Sequence, residues 1–507
     1  MNKKIISGAL SMALCLTALT GCGGKADDVF TEAIEGEITV SAYEAITYKS
    51  YLEEAARKFE EKYPGTKVNV DVAGNMPQMR TQESDGTRIG VMRMEDDQQA
   101  KDDYIIKVNT ELMSGRGADI VALDILPYYK YADNGQLMDL NDYMARDDEF
   151  KKSDYAENII DGAKYKGGQF LFPLDYTFSY FSYDSSLAPD FQAKDKLTFA
   201  DVINSIKDRS SETGNKIFPL ASYTERGANF VSELLSQDYE RFIDVASKKV
   251  NLNNGDFAKL LEDAKTYADE GYINESRLID PRAAENGGNF NMGAFMQQQQ
   301  EKYYVKTNRN LSLLNQFTRN LGTQGNRVMM SMGGGDTSND EIAGLIANDK
   351  GETQFSYTMG LGINNNSKNK RVAWEFLKFL ASEETQSSGL ARPDSLPVNK
   401  NALKQLAAMS ITGENMRRIA GAAGIGSFEN NESEPANIEL TPEQKTALEN
   451  YLSQLDKFTV QLNKYVVHDE KIDNMIQDEI RHFFAGAKSA DEVANALQSR
   501  VNLYLNE

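Results

Sequence analysis

The stretch "EITVSAYEAITYKSYLEEAARKFEEKYPGTKVNVDV", residues 37–72, runs through two periodicities in succession. Ile38, Val40 and Ala42 alternate with other residues, the period of a strand with one buried face. From Tyr51 the spacing changes. Leu52, Ala55, Ala56, Phe59 and Tyr63 recur every three or four residues, and Pro64-Gly65 stops the helix they define. Val68, Val70 and Val72 then alternate again. A second round follows: "DDYIIKVNTELMSGRG" (102–117) reads as a helix opened by aspartate and closed by Gly115, and it feeds the apolar strand "DIVALD" (119–124). Strand, helix, strand, helix, strand specifies an α/β fold, a mostly parallel sheet covered by helices. Residues 74–103 interrupt it with polar sequence around Asp85-Gly86, expected to be a surface hairpin or loop.

The chain ahead of this domain has a different character. Lys3 and Lys4 precede an apolar run from Ile5 to Leu19, the n- and h-regions of a secretory signal and too short to span a bilayer comfortably. Leu19-Thr20-Gly21-Cys22 then resembles a bacterial lipobox. Residues 1–21 are therefore expected to be removed and Cys22 to carry lipid, with 22–34 as a tether and the globule starting at Glu35. Cys15 lies in the leader, so Cys22 has no cysteine left to pair with in the mature chain. Acyl chains hold a protein on a membrane without crossing it.

Composition narrows the function. Formal charge is −21, and −23 without the two leader lysines. Such a surface repels phosphate backbones, which excludes nucleic acid as the expected partner. "NLNNGDFAKLLE" (251–262) has asparagines where a calcium loop needs carboxylates and its glycine one position early, so a turn into a helix is expected instead. His468 and His482 lack metal-ligand spacing and "GGGDTS" (333–338) lacks a phosphate-loop lysine, so no metal and no cofactor are expected. No nucleophile elbow or metalloprotease helix is present, and nothing selects a glycosidase carboxylate pair from 76 acidic residues. The chain is expected not to be an enzyme, a glycoside hydrolase being the competing class.

Six segments carry a family resemblance, in order along the mature chain. "FEEKYPGTKVNV" (59–70) and "SGRGADIVALDILPYYKYADNGQLMDLNDYM" (114–144) look like the amino lobe of family 1 extracellular solute-binding proteins, distant relatives of maltose-binding protein. "YKGGQFLFPLDYTFSYFSYD" (165–184) is similar to that family's first crossing between lobes. "FSYTMGLGINNNSKNKRVAWEFLKFLASEETQ" (355–386) resembles the return crossing and the helix after it. "SLPVNKNAL" (395–403) and "IQDEIRHFFAGAKSADEVANALQSRVNLYLNE" (476–507) resemble the segment that follows and the closing helices.

The resemblance implies a two-lobed, periplasmic-binding-protein-like fold with discontinuous lobes: 35–174 with 359–403, and 175–358 with 404–507. The crossings would lie near Leu171–Phe181, Tyr357–Asn364 and Leu403–Ile411. It also implies a monomer on the outer face of the cell membrane that binds a carbohydrate, commonly an oligosaccharide, and feeds an ABC transporter permease. A cationic solute such as a polyamine is the alternative ligand, and a sensor or scaffold lipoprotein the alternative role. Ligands of α/β sheets meet the carboxyl ends of parallel strands. That rule places Tyr43, Glu44 and Asp124 in the cleft, with Asp175 and Tyr176 from the crossing and the glycine-rich turn Gly333, Gly334, Gly335 and Asp336 from the second lobe. Asp175 and Tyr176 could equally brace the hinge, and Asp124 could cap a turn. Trp374, the only tryptophan, is expected to pack its helix on the sheet.

Overall fold

The computed structural model describes residues 30, 33–43, 45–74, 78–84, 87–93, 98–206, 217–220, 228–270, 302–318, 321, 339–388, 395–412 and 438–506. The leader, Cys22, Glu44 and Gly333–Asp336 lie outside them. Two five-stranded sheets organise the chain.

The first sheet has the order β2-β1-β5-β16-β6, with β1 (Gly36–Ala42), β2 (Thr66–Val72), β5 (Ile120–Ala122), β6 (Phe172–Pro173) and β16 (Gly360–Ile363). β1 pairs in parallel with β2 and β5, while β16 runs antiparallel between β5 and β6. The strand alternation read from the sequence is the burial pattern found: Ile38, Val40 and Ala42 are buried against helix α1 (Ala45–Lys62). That helix starts six residues before the expected Tyr51. The extra turns bring in Tyr48, fully buried on the same stripe as Leu52, Ala55 and Phe59. Burying Leu52 or Phe59 contributes about 2 kcal/mol each, and Phe59→Ala would cost about 3–5 kcal/mol by leaving a cavity against Phe376.

Helix α2 (Gln98–Met113) likewise starts four residues ahead of Asp102. Most of the insertion before it is a ribbon, β3 (Gln78–Ser84) paired antiparallel with β4 (Thr87–Arg93). Gly115, at φ +70°, closes the helix as expected. Trp374 is buried in helix α5 (Lys370–Leu380), its indole N–H donating to Asp147 at 2.7 Å. Phe30, inside the stretch expected to be tether, lies against Tyr143 and under the Arg371 guanidinium.

The second sheet has the order β10-β13-β8-β14-β9, with β8 (Ser179–Asp184), β9 (Lys196–Leu197), β10 (Ile217–Leu220), β13 (Lys302–Arg309) and β14 (Asp340–Ile346). A two-residue ribbon, β11 (Ile243–Asp244) with β12 (Lys249–Val250), precedes the helix Asp256–Asp269, so residues 251–262 turn into a helix with Phe257 and Leu261 buried. The closing helices, α8 (Glu470–Phe484) and α9 (Ala490–Asn506), pack on this helix and on α4 (Ala228–Gln237). Ser489 and Glu492 cap α9 reciprocally, as their spacing predicts.

The chain crosses between sheets from β6 to β8 and again from β14 to β16. Short strands tie these crossings to later segments. β7 (Asp175–Tyr176) pairs with β17 (Leu396–Pro397), and β15 (Gln354–Phe355) pairs with β18 (Lys464–Tyr465). Residues 403–411, read as a third crossing, lie within one helix, α6 (Lys400–Thr412), which packs against β17 and α7 (Pro442–Thr459). The result is an α/β molecule of two lobes with two adjacent crossings as its waist.

Candidate functional site

The carboxyl ends of β1 and β5 lie side by side, with Val40 opposite Ile120 and Ser41 opposite Val121. They deliver Tyr43 and Asp124 to one edge of the first lobe, both half-buried. Two helices line that edge with phenols. Tyr48 of α1 donates to Asp124 Oδ1 at 2.7 Å, and Tyr104 of α2 accepts from Ser41 Oγ at 3.3 Å. The Tyr43 and Tyr104 rings stand 5.6 Å apart.

The waist contributes two more phenols. Tyr357 and Tyr465 have ring centroids 4.8 Å apart, and their hydroxyls share a hydrogen bond at 3.0 Å. Burial pushes the Tyr465 hydroxyl up, and the carboxylates of Asp124 from one lobe and Asp473 from the other push it further, against the Tyr357 hydrogen bond that pulls it down. Tyr465 thus stands between acidic groups of both lobes. Tyr48, Tyr104 and Tyr357 are also raised, by burial first and by Asp124 among the charges. These hydroxyls stay protonated and able to donate throughout the physiological range.

On the second lobe a cavity of about 240 Å³ opens between α4 and α8, lined by Ser232, Ser236, Tyr239, His468, Asp473 and Gln477. The His468 and Tyr239 rings are 4.4 Å apart, and His468 Nδ1 lies 3.4 Å from Asp473 Oδ2. The Tyr239 hydroxyl is buried beside the Asp473 carboxylate and the Asp469 backbone, and burial first and Asp473 next push it up. Tyr128, on α3 (Tyr128–Asp133), is buried within electrostatic reach of Tyr465.

The lobes meet beside this cavity. Tyr129 donates to Asp469 Oδ2 at 2.6 Å, Tyr504 donates to the same oxygen at 3.0 Å, and Lys101 pairs with Glu470 at 2.5 Å. Lys130 of the first lobe and Lys471 of the second both lie over the Tyr504 ring.

Asp175 and Tyr176 are placed differently. Both are buried within the waist. Asp175 accepts from the Thr358 and Met359 backbone N–H groups, from Ser395 Oγ at 2.7 Å and from the Thr358 hydroxyl. Burial raises its carboxyl and those hydrogen bonds lower it. The Tyr176 hydroxyl is shared with Thr459 at 3.1 Å. These two residues brace the crossings with their polar groups spent. Of the residues expected at the site, Tyr43 and Asp124 come together on one edge; Glu44 and Gly333–Asp336 fall outside the described residues.

Tyr48, Tyr357, Tyr465, Tyr239, His468 and Asp473 escaped the sequence reading. Tyr48 has a legible signal, since it sits four residues before Leu52 on the α1 stripe and five after Tyr43. His468 was weighed only as a metal ligand. Among the described residues no three His, Cys, Asp or Glu side chains are grouped to hold an ion.

Two α/β lobes joined by paired crossings, with phenols and carboxylates of both lobes gathered at the waist, define a two-lobed binding protein. A model of bacterial extracellular solute-binding proteins matches residues 90–410, and the chain belongs to that family. Comparison with curated protein sequences gives no match. Among solved structures it is similar to a family 1 extracellular solute-binding protein from Alicyclobacillus acidocaldarius, at 13% identity over 94% of this chain and 100% of that one, TM-score 0.56. It is similar to the sugar-binding protein MalE of Xanthomonas citri, at 15% identity over 93% and 98%, TM-score 0.54. The GacH receptor of Streptomyces glaucescens, solved unliganded and with acarbose, is similar at 14% identity over 93% and 100%, TM-score 0.52. Identities this low establish the shared two-lobed fold.

Proposed function

We propose that this protein captures a carbohydrate, an oligosaccharide, between its lobes and delivers it to the permease of an ABC transporter. The observation that carries the reading is the gathering of phenols and carboxylates from both lobes at the waist: Tyr48 bonded to Asp124, Tyr43 against Tyr104, and Tyr465 bonded to Tyr357 within reach of Asp124 and Asp473. A sugar ring offers hydroxyl edges to carboxylates and phenols, and C–H faces to aromatic rings. Tyr43 would stack on one face, and Asp124 and Asp473 would accept hydroxyl protons. Asp175 and Tyr176 serve as hinge braces in this reading, and closure rotates 35–174 with 359–403 against 175–358 with 404–507. The sugar-binding neighbours GacH and MalE support the ligand class.

Capture outside the cell needs retention. Among the described residues no helix is long and apolar enough to cross a membrane. Cys22, acylated after removal of residues 1–21, would hold the monomer beside its permease and raise its local concentration there. Cys22→Ser should therefore release the protein into the medium with ligand binding intact; a variant still membrane-bound after a salt wash rules the anchor out.

A thermal-shift screen of unlipidated protein against mono- and oligosaccharides, amino acids and polyamines tests the ligand class. A sugar at 100 times its Kd stabilises the fold by about 2.7 kcal/mol. Hits confined to polyamines would favour the cationic reading, which the carboxylates around Tyr465 also suit. Release of a sugar fragment from an intact glycan would instead make the protein an enzyme.

A further inference from the structure

The contacts that tie the two lobes together centre on one carboxylate. Asp469 is buried at the start of α8, in the second lobe. Its Oδ1 caps that helix, accepting the Lys471 and Ile472 backbone N–H groups at 3.0 and 3.4 Å. Its Oδ2 takes two hydroxyls instead, from Tyr504 of the same lobe at 3.0 Å and from Tyr129 of the first lobe at 2.6 Å. Burial first and Asp469 next raise the Tyr129 phenol, so it stays a donor. The next residue, Glu470, pairs with Lys101 of the first lobe at 2.5 Å.

These first-lobe groups stand off the waist. The crossings leave the first sheet at β6 and β16, on one side of the order β2-β1-β5-β16-β6. Tyr129 lies on α3, which follows β5, and Lys101 lies on α2 one turn before Tyr104, which meets Ser41 of β1. Two strand spacings, about 10 Å, separate β1 from β16. A contact that far from the crossings breaks when the lobes rotate apart, and this one can also re-form. When Tyr129 withdraws, Asp469 keeps Tyr504 and both amides, so no buried carboxylate is orphaned. The Lys101 and Glu470 side chains are 19% and 36% exposed, and each can turn to water. The seam also adjoins the site: His468 and Asp473 of the second-lobe cavity flank Asp469, and Tyr128 precedes Tyr129.

We propose that Tyr129, Lys101, Asp469 and Glu470 form a latch that holds the lobes at this spacing before a ligand arrives. They are positioning residues: they keep Asp124 and Asp473 on either side of Tyr465, and so set affinity without touching the ligand. Loss of the latch spreads the protein over wider lobe angles, and apparent affinity falls with the fraction left at the competent one. The proposal rests on the reading that the ligand sits between the lobes.

Solution scattering of the ligand-free, unlipidated protein tests it. Lys101→Glu sets like charges across the seam and should enlarge the radius of gyration; adding Glu470→Lys should return it to the parent value. Tyr129→Phe combined with Lys101→Glu should enlarge it further. Equal radii in the parent and both of these variants overturn the latch, and so does an expansion that Glu470→Lys does not reverse. Should Lys101→Glu not fold, Tyr129→Phe alone, which removes one oxygen, decides by the same measure. Calorimetry with maltohexaose as the probe reads the effect on binding: the expanded variants should bind about fivefold more weakly than the parent, and the Lys101→Glu/Glu470→Lys pair like the parent. Expansion with unchanged maltohexaose affinity overturns the positioning role. If maltohexaose does not bind the parent, the scattering comparison decides the latch by itself. Reversible expansion in a protein whose radius no solute of the wider screen alters would support the latch and fail the capture reading.

Discussion

Two regions far apart in sequence, the waist at Asp175 and the seam around Tyr465, are built from similar side chains and treat them in opposite ways. At the waist every polar group is spent. The Asp175 carboxylate takes hydrogen bonds from two backbone amides and two hydroxyls, and Tyr176 shares its hydroxyl with Thr459. At the seam, Tyr48 bonds Asp124, and Tyr465 bonds Tyr357 within reach of Asp124 and Asp473. Residue type is the same in both places, but Asp175 is buried and Asp124 only half-buried. Access separates them: an enclosed carboxylate holds the fold, and one left half-open can still meet a ligand.

The sharpest way to break this contrast is Asp175→Ala. It orphans the Thr358 and Met359 amides inside the waist, and should lower stability by about 3 kcal/mol, or about 3 °C in Tm for a chain of this size. A melting curve unchanged within 1 °C would mean that the waist is not held by this carboxylate. Next in size, Asp124→Ala should weaken sugar binding by about tenfold to a hundredfold, the cost of about 1.5–3 kcal/mol for a charged acceptor. Its stability loss should be smaller, because Tyr48 keeps the Thr358 carbonyl within 3.3 Å. Calorimetry beside thermal melting reads both; a mutant that melts early yet binds normally would move Asp124 into the structural class.

Tyr465→Phe is the counterpart of Asp175→Ala at the seam. It removes one hydrogen bond, to Tyr357, and should cost about 1 kcal/mol of stability while affinity falls about tenfold. Loss of stability with unchanged affinity would place Tyr465 with the braces. The smallest expected effect lies on α4, the pocket helix. Burial raises the Glu233 carboxyl to about 7, with Arg309 opposing. A raised carboxyl stabilises the fold fully below its unfolded value near 4.5, and that contribution is lost as pH rises through about 7. Glu233→Gln should therefore flatten the decline of Tm between pH 4.5 and 7 relative to the parent. Parallel profiles would show that Glu233 titrates normally.

Legibility in the sequence follows the same division. The alternation of β1, α1 and β2 could be read because one buried face repeats at a fixed period, and the strand-end rule then pointed to Tyr43 and Asp124. Helix starts were read late. Ala45 follows Glu44, with no aspartate, serine or threonine to announce an amino terminus, and the aspartate start of the second helix was read at Asp102 when Asp97 directly precedes Gln98. The second lobe's share of the site was hidden for a different reason. Tyr239, Tyr465, His468 and Asp473 come from segments more than 200 residues apart, and no local period marks a side chain whose meaning depends on a distant neighbour. Residues 403–411 illustrate a third case, where resemblance suggested a crossing and the local apolar spacing of a helix decided the structure.

The position of β16 in the first sheet has a consequence for how the chain is made. This strand lies between β5 and β6 yet is synthesised long after both. Until Ile363 has been added, β5 presents an open edge and β6 has no partner strand. At ~5–20 residues per second, the interval between β5 and β16 lasts roughly 10–50 s. Through that time the nascent first lobe cannot complete its sheet, and the β5 edge waits for a strand from the far side of the second lobe.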